Sequence, residues 1–201
     1  MIKSIKDTKN EELMVSTLKS EGCFIVENFI QGEPLNALRE EVLNLCKKSP
    51  PYEFGKLYRG KPLSSYKKES AIYKTFHQEW MINLTKAYTH QPYGKSVIAT
   101  HDYIHTKNWA RQGWLHSDKQ KSFKFFLYLT DIDKTCGALH LSSGSIKEAS
   151  ELNKKLKSKG LYESHRRLEE TFPDLVKKYP PQPVEKPAGT LIVFDSDTFH
   201  K

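Results

Sequence analysis

Cysteine is scarce in this chain: Cys23, Cys46 and Cys136 are the only three in 201 residues, and no two stand in C-x-x-C spacing. An odd, scattered set excludes a disulfide framework and a thiolate zinc site. It reads as free thiols in a reducing compartment, mostly small buried apolar groups. Long apolar runs are missing too, and no window approaches the ~20 residues that a membrane-spanning helix needs. Met1 to Asp7 shows no apolar core followed by a small-residue cleavage site. Neither a membrane anchor nor a secretory leader is expected, and the cytoplasm is the expected location. Phosphate-binding glycine loops and the G-x-S-x-G elbow of serine hydrolases are equally lacking. Ser117 does stand between His116 and Asp118, but a hydrolytic triad needs residues converging from separate segments, so adjacency argues against one.

What is present is a folded composition, with 37% apolar and 11% aromatic residues, enough for a sizeable core at this length. The charge is basic, at +8. A nucleic-acid binder would carry such a footprint, yet the lysines run from Lys3 to Lys201 and are interleaved with 24 acidic residues. That pattern reads as a solvated lysine-rich surface with no nucleic-acid partner. Its long-range effect is to favour anionic small molecules.

Along the chain, Thr8 to Ser20 predicts a helix stopped by Gly22, and Cys23 to Phe29 a strand. Leu35, Leu38, Val42 and Leu45 recur at helical spacing from Pro34 to Lys48. Tyr52 to Ser70 shows no period and is expected to be a long loop over a site. Ile72 to Tyr88 predicts one helix, and Ser96 to His105 a strand. Phe123 to Thr130 is the clearest strand. Its odd positions (Phe123, Phe125, Leu127, Leu129) are apolar, and its even positions (Lys124, Phe126, Tyr128, Thr130) are the mixed kind that line a site. Ala138 to Leu141 predicts a short return strand, Ile146 to Tyr179 a charged helical insertion ended by prolines, and Gly189 to Phe194 a last strand. Helices first, then strands with one insertion, predict an α+β chain with a double-layered or barrel-like sheet.

The chemistry centres on Trp114-Leu115-His116-Ser117-Asp118. On an extended backbone His116 and Asp118 share a face, with Cα atoms roughly 6.5 Å apart. An imidazole and a carboxylate so placed can grip one metal ion. A second imidazole would complete the two-His-one-carboxylate face that suits Fe(II) and leaves positions open. His200, just after the last strand, is the candidate. Alone, an H-x-D pair is a weak signal. Here it sits before the strongest strand and after a turn holding Trp109, Arg111 and Gly113.

At these residues the chain resembles the Fe(II)- and 2-oxoglutarate-dependent oxygenases of the phytanoyl-CoA dioxygenase type. Gly22 to Val42 is similar to that family's opening strand and helix, and Trp114 to Asp118 to its proximal ligand motif. Lys124 to Asp133, with Gly137-Ala138-Leu139 and Ser143-Gly144-Ser145, resembles its strand, turn and x-G-S block. Gly189 to His200 is similar to the strand and turn with the distal ligand. Ile146 and Ser143 depart from the histidine and proline usual there.

The resemblance implies a mainly β, double-stranded β-helix (jelly-roll, cupin-like) core with flanking N-terminal helices and a helical insertion before the last strand. It would form a single domain over residues 1–201, with 1–95 holding the N-terminal helices and a supporting strand. Residues 96–201 would form the core, with the insertion at about 146–180. It also implies Fe(II) held by His116, Asp118 and His200, with 2-oxoglutarate and O₂ as cosubstrates and hydroxylation of a small organic molecule, anionic or carrier-bound. Related halogenases carry a small residue at the Asp118 position, so the carboxylate argues for hydroxylation. The family clamps the far cosubstrate carboxylate with an arginine beyond the distal histidine, whereas this sequence ends at Lys201. The expectation is a missing final strand or another cation.

Lys124 is the nearest substitute by position, its alternative being a solvent-facing rim residue. Phe126 on the same face would pack against the cosubstrate or in the core. Arg111 and Trp114 are placed to touch substrate, Trp114 alternatively to pack. His77, His101, His105, His140 and His165 read as structural or surface residues. The rival reading of the whole chain is a non-catalytic jelly-roll protein that binds a small molecule. Oligomeric state is open.

Overall fold

The computed structural model describes residues 1–52, 55–94, 96–102, 114–118, 120–160 and 167–201. Helix α1 (Glu11–Glu21) opens where Asn10 Oδ1 accepts the Leu13 N–H and closes at Gly22, whose φ of +77° is the left-handed conformation that suits glycine. Strand β1 (Cys23–Val26) follows directly. Its alternation sorts the core: Phe24 and Val26 face one cluster with Met14, Leu18 and Met81, while Cys23 and Ile25 face another with Leu141, Ile192 and Phe194. Fully burying side chains such as Phe24, Leu18 and Met81 stabilises the fold by roughly 1.5–3 kcal/mol each.

Helix α2 (Gly32–Lys47) buries Leu35, Leu38 and Val42 of the predicted stripe, with Cys46 fully buried and Leu45 only half-buried. The expected Tyr52–Ser70 loop instead contains a strand, Gly55–Arg59, and a helical turn at Leu63–Ser65. Strands β2 (Pro51–Tyr52) and β3 (Gly55–Arg59) form a sheet with β4 (Ile98–Asp102), in the order β2-β3-β4. The register of β3 on β4 runs from Gly55↔Asp102 to Arg59↔Ile98. Its partner β4 lies far along the chain, so local pattern did not reveal β3.

The single helix expected over Ile72–Tyr88 is two, α3 (Ala71–Phe76) and α4 (Glu79–Thr89). The break at His77 leaves the Phe76 carbonyl to the Tyr93 hydroxyl, and His77 stacks on Tyr73 with centroids 4.4 Å apart.

Strand β5 (Phe123–Leu127) is followed by β6 (His140–Leu141), then by α5 (Ile146–Ser158), α6 (Leu168–Thr171) and α7 (Pro173–Lys178) in the predicted insertion. β7 (Gln182–Pro183) pairs with β6, and β8 (Leu191–Asp195) is fully buried along its length. β8 is central to its sheet, in the order β1-β8-β5, antiparallel to both neighbours. The apolar face of β5 packs as predicted, with Phe125 edge-on to Trp80 at 5.9 Å and to Tyr93 at 5.6 Å. Among the described residues, the architecture is thus α+β, with antiparallel pairing between all named strands. No helix there is long and apolar enough to cross a membrane.

Candidate metal centre

The chain beyond β8 folds back to meet the H-x-D segment. His116 N–H donates to His200 O at 2.9 Å, and His200 N–H donates to His116 O at 2.7 Å, so the two histidines sit directly opposite each other on antiparallel backbone. Asp118 N–H continues the pairing with Ser196 O at 3.0 Å. On its other side this segment pairs with β6, through Ser142 N–H to Phe199 O at 2.9 Å and His140 N–H to Lys201 O at 2.8 Å.

Gly22 makes the close approach of the turn possible. A Cβ there would lie 2.1 Å from Thr198 Oγ1, and the Gly22 carbonyl accepts both the Asp195 N–H and the Thr198 hydroxyl. The sequence marks Gly22 as a helix stop; its packing against the turn before His200 depends on a contact across the whole chain.

The predicted ligand set converges. One ligand atom each from His116, Asp118 and His200 lies within 4.8 Å of the others. Nε2 of His116 and of His200 stand 3.9 and 3.6 Å from Asp118 Oδ1. Each histidine holds its other nitrogen, Nδ1, 2.7 Å from a carbonyl two residues upstream, Trp114 O and Thr198 O. A carbonyl only accepts, so Nδ1 carries a hydrogen, which leaves Nε2, on the Asp118 side, as the atom that would bind a metal. Hydrogen-bonded orientation of this kind is how proteins set histidine ligands for a metal. Three Lewis bases aimed together, with His200 buried and the other two half-buried, form a donor set that fits a divalent cation.

Lys124 points to the same place, as its even position on β5 predicts. Its Nζ donates to Asp118 Oδ2 at 2.5 Å and lies 5.3 Å from the Phe194 ring centroid. Burial would raise the Asp118 carboxyl, but hydrogen bonds from His200 and Lys124 and their charges hold it well below the usual carboxylate range.

Phe126, next on that face, is 39% exposed and edge-on to Tyr128, away from the deep core. Trp114 lies under the Arg167 guanidinium at 4.3 Å, and its carbonyl orients His116. Arg111 lies outside the described residues. His140 turns Nδ1 to Ala138 O at 2.8 Å, and among the described residues only His116, Asp118 and His200 form a metal-ligating group.

Several residues at the centre carried no sequence signal strong enough to single them out. Asp195 and Asp197 are buried beside His200 and are both met by Lys121, at 3.0 and 3.5 Å; the Tyr88 hydroxyl donates to Asp195 at 2.9 Å. Burial and the Asp195 charge push the Tyr88 phenol up, out of the range in which it could ionise near neutral pH. The helical insertion braces the segment that carries His116. Leu115 packs with Ala149, Leu168 and Phe199, and its N–H and C=O go to the Glu169 carboxylate and the Leu168 N–H. Asn153 of α5 is the one polar residue on that helix's buried stripe of Ile146, Ala149 and Leu156. A polar residue on an apolar stripe is the signal that could have found it.

No protein-family model matches the sequence, and no curated protein matches it. Solved structures do match the fold. The non-haem α-ketoglutarate-dependent epimerase SnoN from nogalamycin biosynthesis superposes with a TM-score of 0.59 at 12% identity, over 96% of this chain and 76% of its own. HygX from Streptomyces hygroscopicus, with nickel, 2-oxoglutarate and hygromycin B bound, gives a TM-score of 0.53 at 15% identity, over 94% and 79%. The chain therefore shares the fold of these two proteins. At such identities the likeness is one of fold, and the chemistry has to be argued from the site.

Proposed function

We propose that this chain is an Fe(II)- and 2-oxoglutarate-dependent oxygenase of the phytanoyl-CoA dioxygenase type, with a jelly-roll core, that hydroxylates a C–H bond of a small organic molecule. The observation that carries the reading is the convergence of His116 Nε2, His200 Nε2 and an Asp118 carboxylate oxygen on a fold shared with SnoN and HygX. That HygX was solved with nickel and 2-oxoglutarate bound supports the pairing of metal and cosubstrate. When bound, Fe(II) would bring 2-oxoglutarate and O₂ together, supplying the oxidising power that decarboxylates the cosubstrate to succinate and activates the C–H bond.

The chain's own residues bind and orient. His116 and His200 would hold the metal through Nε2, with their Nδ1 hydrogens directed at backbone carbonyls that orient both rings. Asp118 offers Oδ1, while Oδ2 is occupied by Lys124. Lys124 supplies positive charge beside the metal face for the anionic cosubstrate, and Phe126 walls the same side. Trp114 stands in the segment before the ligand pair, where it would meet the substrate; Arg111, the other expected substrate contact, lies outside the described residues. Phe194, edge-on to His200 at 5.4 Å, keeps water from that ligand.

Anaerobic addition of Fe(II) and 2-oxoglutarate is expected to give a weak visible charge-transfer band, and aerobic incubation to release succinate. Absence of both sinks the reading. SnoN is an epimerase, so product analysis of the substrate decides the outcome of the C–H step: a new hydroxyl supports hydroxylation, and an inverted centre without added oxygen overturns it.

A further inference from the structure

Ser117 separates the two proximal ligands, and on extended backbone its side chain points opposite to theirs, toward α5 rather than toward the metal face. There it meets Asn153, with 2.8 Å between Ser117 Oγ and Asn153 Oδ1. The amide's other end, Nδ2, lies 3.1 Å from Asp197 Oδ1, in the segment that ends at His200. The direction of both bonds is fixed by chemistry. The Asp197 carboxylate, paired with Lys121, only accepts, so the amide NH₂ must face it. The amide oxygen then faces Ser117, whose hydroxyl donates. Ser117, Asn153 and Asp197 are 8%, 4% and 5% exposed, so water cannot readily take over either bond.

An amide on the apolar stripe of α5 would be costly without partners. With both partners made, it joins two segments that the chain brings together from far apart, one carrying His116 and Asp118 and the other carrying His200. Backbone pairing sets the register of these segments, and the amide bridge adds a tie between them on the side away from the metal face. We propose that Asn153 is a positioning residue: its side chain bridges Ser117 and Asp197 behind the metal face and so fixes the separation of the proximal and distal ligands. Through it the helical insertion contributes to metal affinity without touching the metal. This rests on reading His116, Asp118 and His200 as the ligand set.

The test is anaerobic titration with Co(II), followed by its ligand-field absorption, on wild type, Asn153→Leu, Ser117→Ala and the double variant. Asn153→Leu keeps the volume of the amide and removes both bonds. Loss of an orienting partner of this kind typically weakens metal affinity about tenfold or more, and that is the expected loss for Asn153→Leu, with altered Co(II) band intensities. Far-UV circular dichroism at the titration temperature checks that each variant is folded. Because Ser117 and Asn153 share one bond, the double variant is expected to bind no more weakly than Asn153→Leu alone. Glu151→Ala, on the exposed side of α5, should bind as wild type does.

Affinity within about twofold of wild type for folded Asn153→Leu, far below that typical loss, overturns the proposal. So does full additivity of the two substitutions. A drop in melting temperature with unchanged Co(II) affinity and spectrum shows a merely structural role and overturns it too. If Asn153→Leu does not fold, Ser117→Ala breaks the same bridge from the ligand side and decides alone. Failure of wild type to bind metal sinks the ligand reading itself, which separates the two outcomes.

Discussion

Lys124 Nζ donates to Asp118 Oδ2 at 2.5 Å, while Oδ1 of the same carboxylate faces Nε2 of both histidines at 3.9 and 3.6 Å. The two carboxylate oxygens are thus divided between a cation of the protein and the position where a metal would sit. Lys124 also stands where an anionic cosubstrate would approach. Lys124→Met is expected to weaken 2-oxoglutarate binding about tenfold or more, since a charge-assisted hydrogen bond contributes about 1.5–3 kcal/mol. Titration of the charge-transfer band with 2-oxoglutarate measures it. Unchanged affinity would remove Lys124 from the cosubstrate site.

The Asp118 carboxyl also gives the metal-free protein a pH signature. Its folded value lies below the ordinary 3.8, so its stabilising contribution is present in full above that pH and is lost as pH falls through the folded value. Asp118→Asn, which cannot ionise, lacks this dependence. The variant is therefore expected to be less stable than wild type at pH 7, with the gap narrowing as the pH is lowered below about 4. Urea unfolding of both metal-free proteins across that range reads it. A gap that stays constant would show that the contacts of Asp118 do not favour its charged form.

Gly22 is under two constraints at once, a φ of +77° and the Thr198 hydroxyl 2.1 Å from where a Cβ would be. Gly22→Ala is expected to destabilise by more than the ~1 kcal/mol typical of a glycine conformational penalty alone, because the turn before His200 must also shift. Gly22→Ala combined with Thr198→Ala should recover part of the loss by removing the steric contact, leaving the backbone strain. Thermal unfolding of the single and double variants separates the two contributions.

The convergence of His116, Asp118 and His200 was legible in the sequence because its two halves obey local rules. Spacing by two on extended backbone put His116 and Asp118 on one face, and a histidine just after an apolar strand is a natural partner. The two faces of β5 were legible for the same reason, and Lys124 accordingly points at the site. What could not be read is held by long-range pairing. β3 exists because β4 lies beside it. The break at His77 has no proline or glycine to announce it, and the freed Phe76 carbonyl is satisfied by Tyr93. Asp195, Lys121 and Tyr88 come from three separate segments, and only the fold shows that they share one buried cluster.

The insertion offers the last prediction. Its sequence predicted only a charged helical stretch, yet α6 grips the backbone just before His116. The Leu115 N–H sits 2.9 and 3.1 Å from the two Glu169 carboxylate oxygens, Leu115 O accepts from Leu168 N–H at 3.0 Å, and Leu115 itself is fully buried. Glu169→Ala strands that N–H, and an unsatisfied buried donor costs about 1–3 kcal/mol. Glu169→Gln keeps a carbonyl oxygen for the N–H but gives up the half-exposed ion pair to Lys201 at 3.4 Å, a solvent-screened contact of about 0–1 kcal/mol. Glu169→Ala should therefore lower stability and Co(II) affinity together, with Glu169→Gln close to wild type in both. Equal losses in the two variants would mean that the negative charge, rather than the acceptor for Leu115, is what holds α6 against the metal segment.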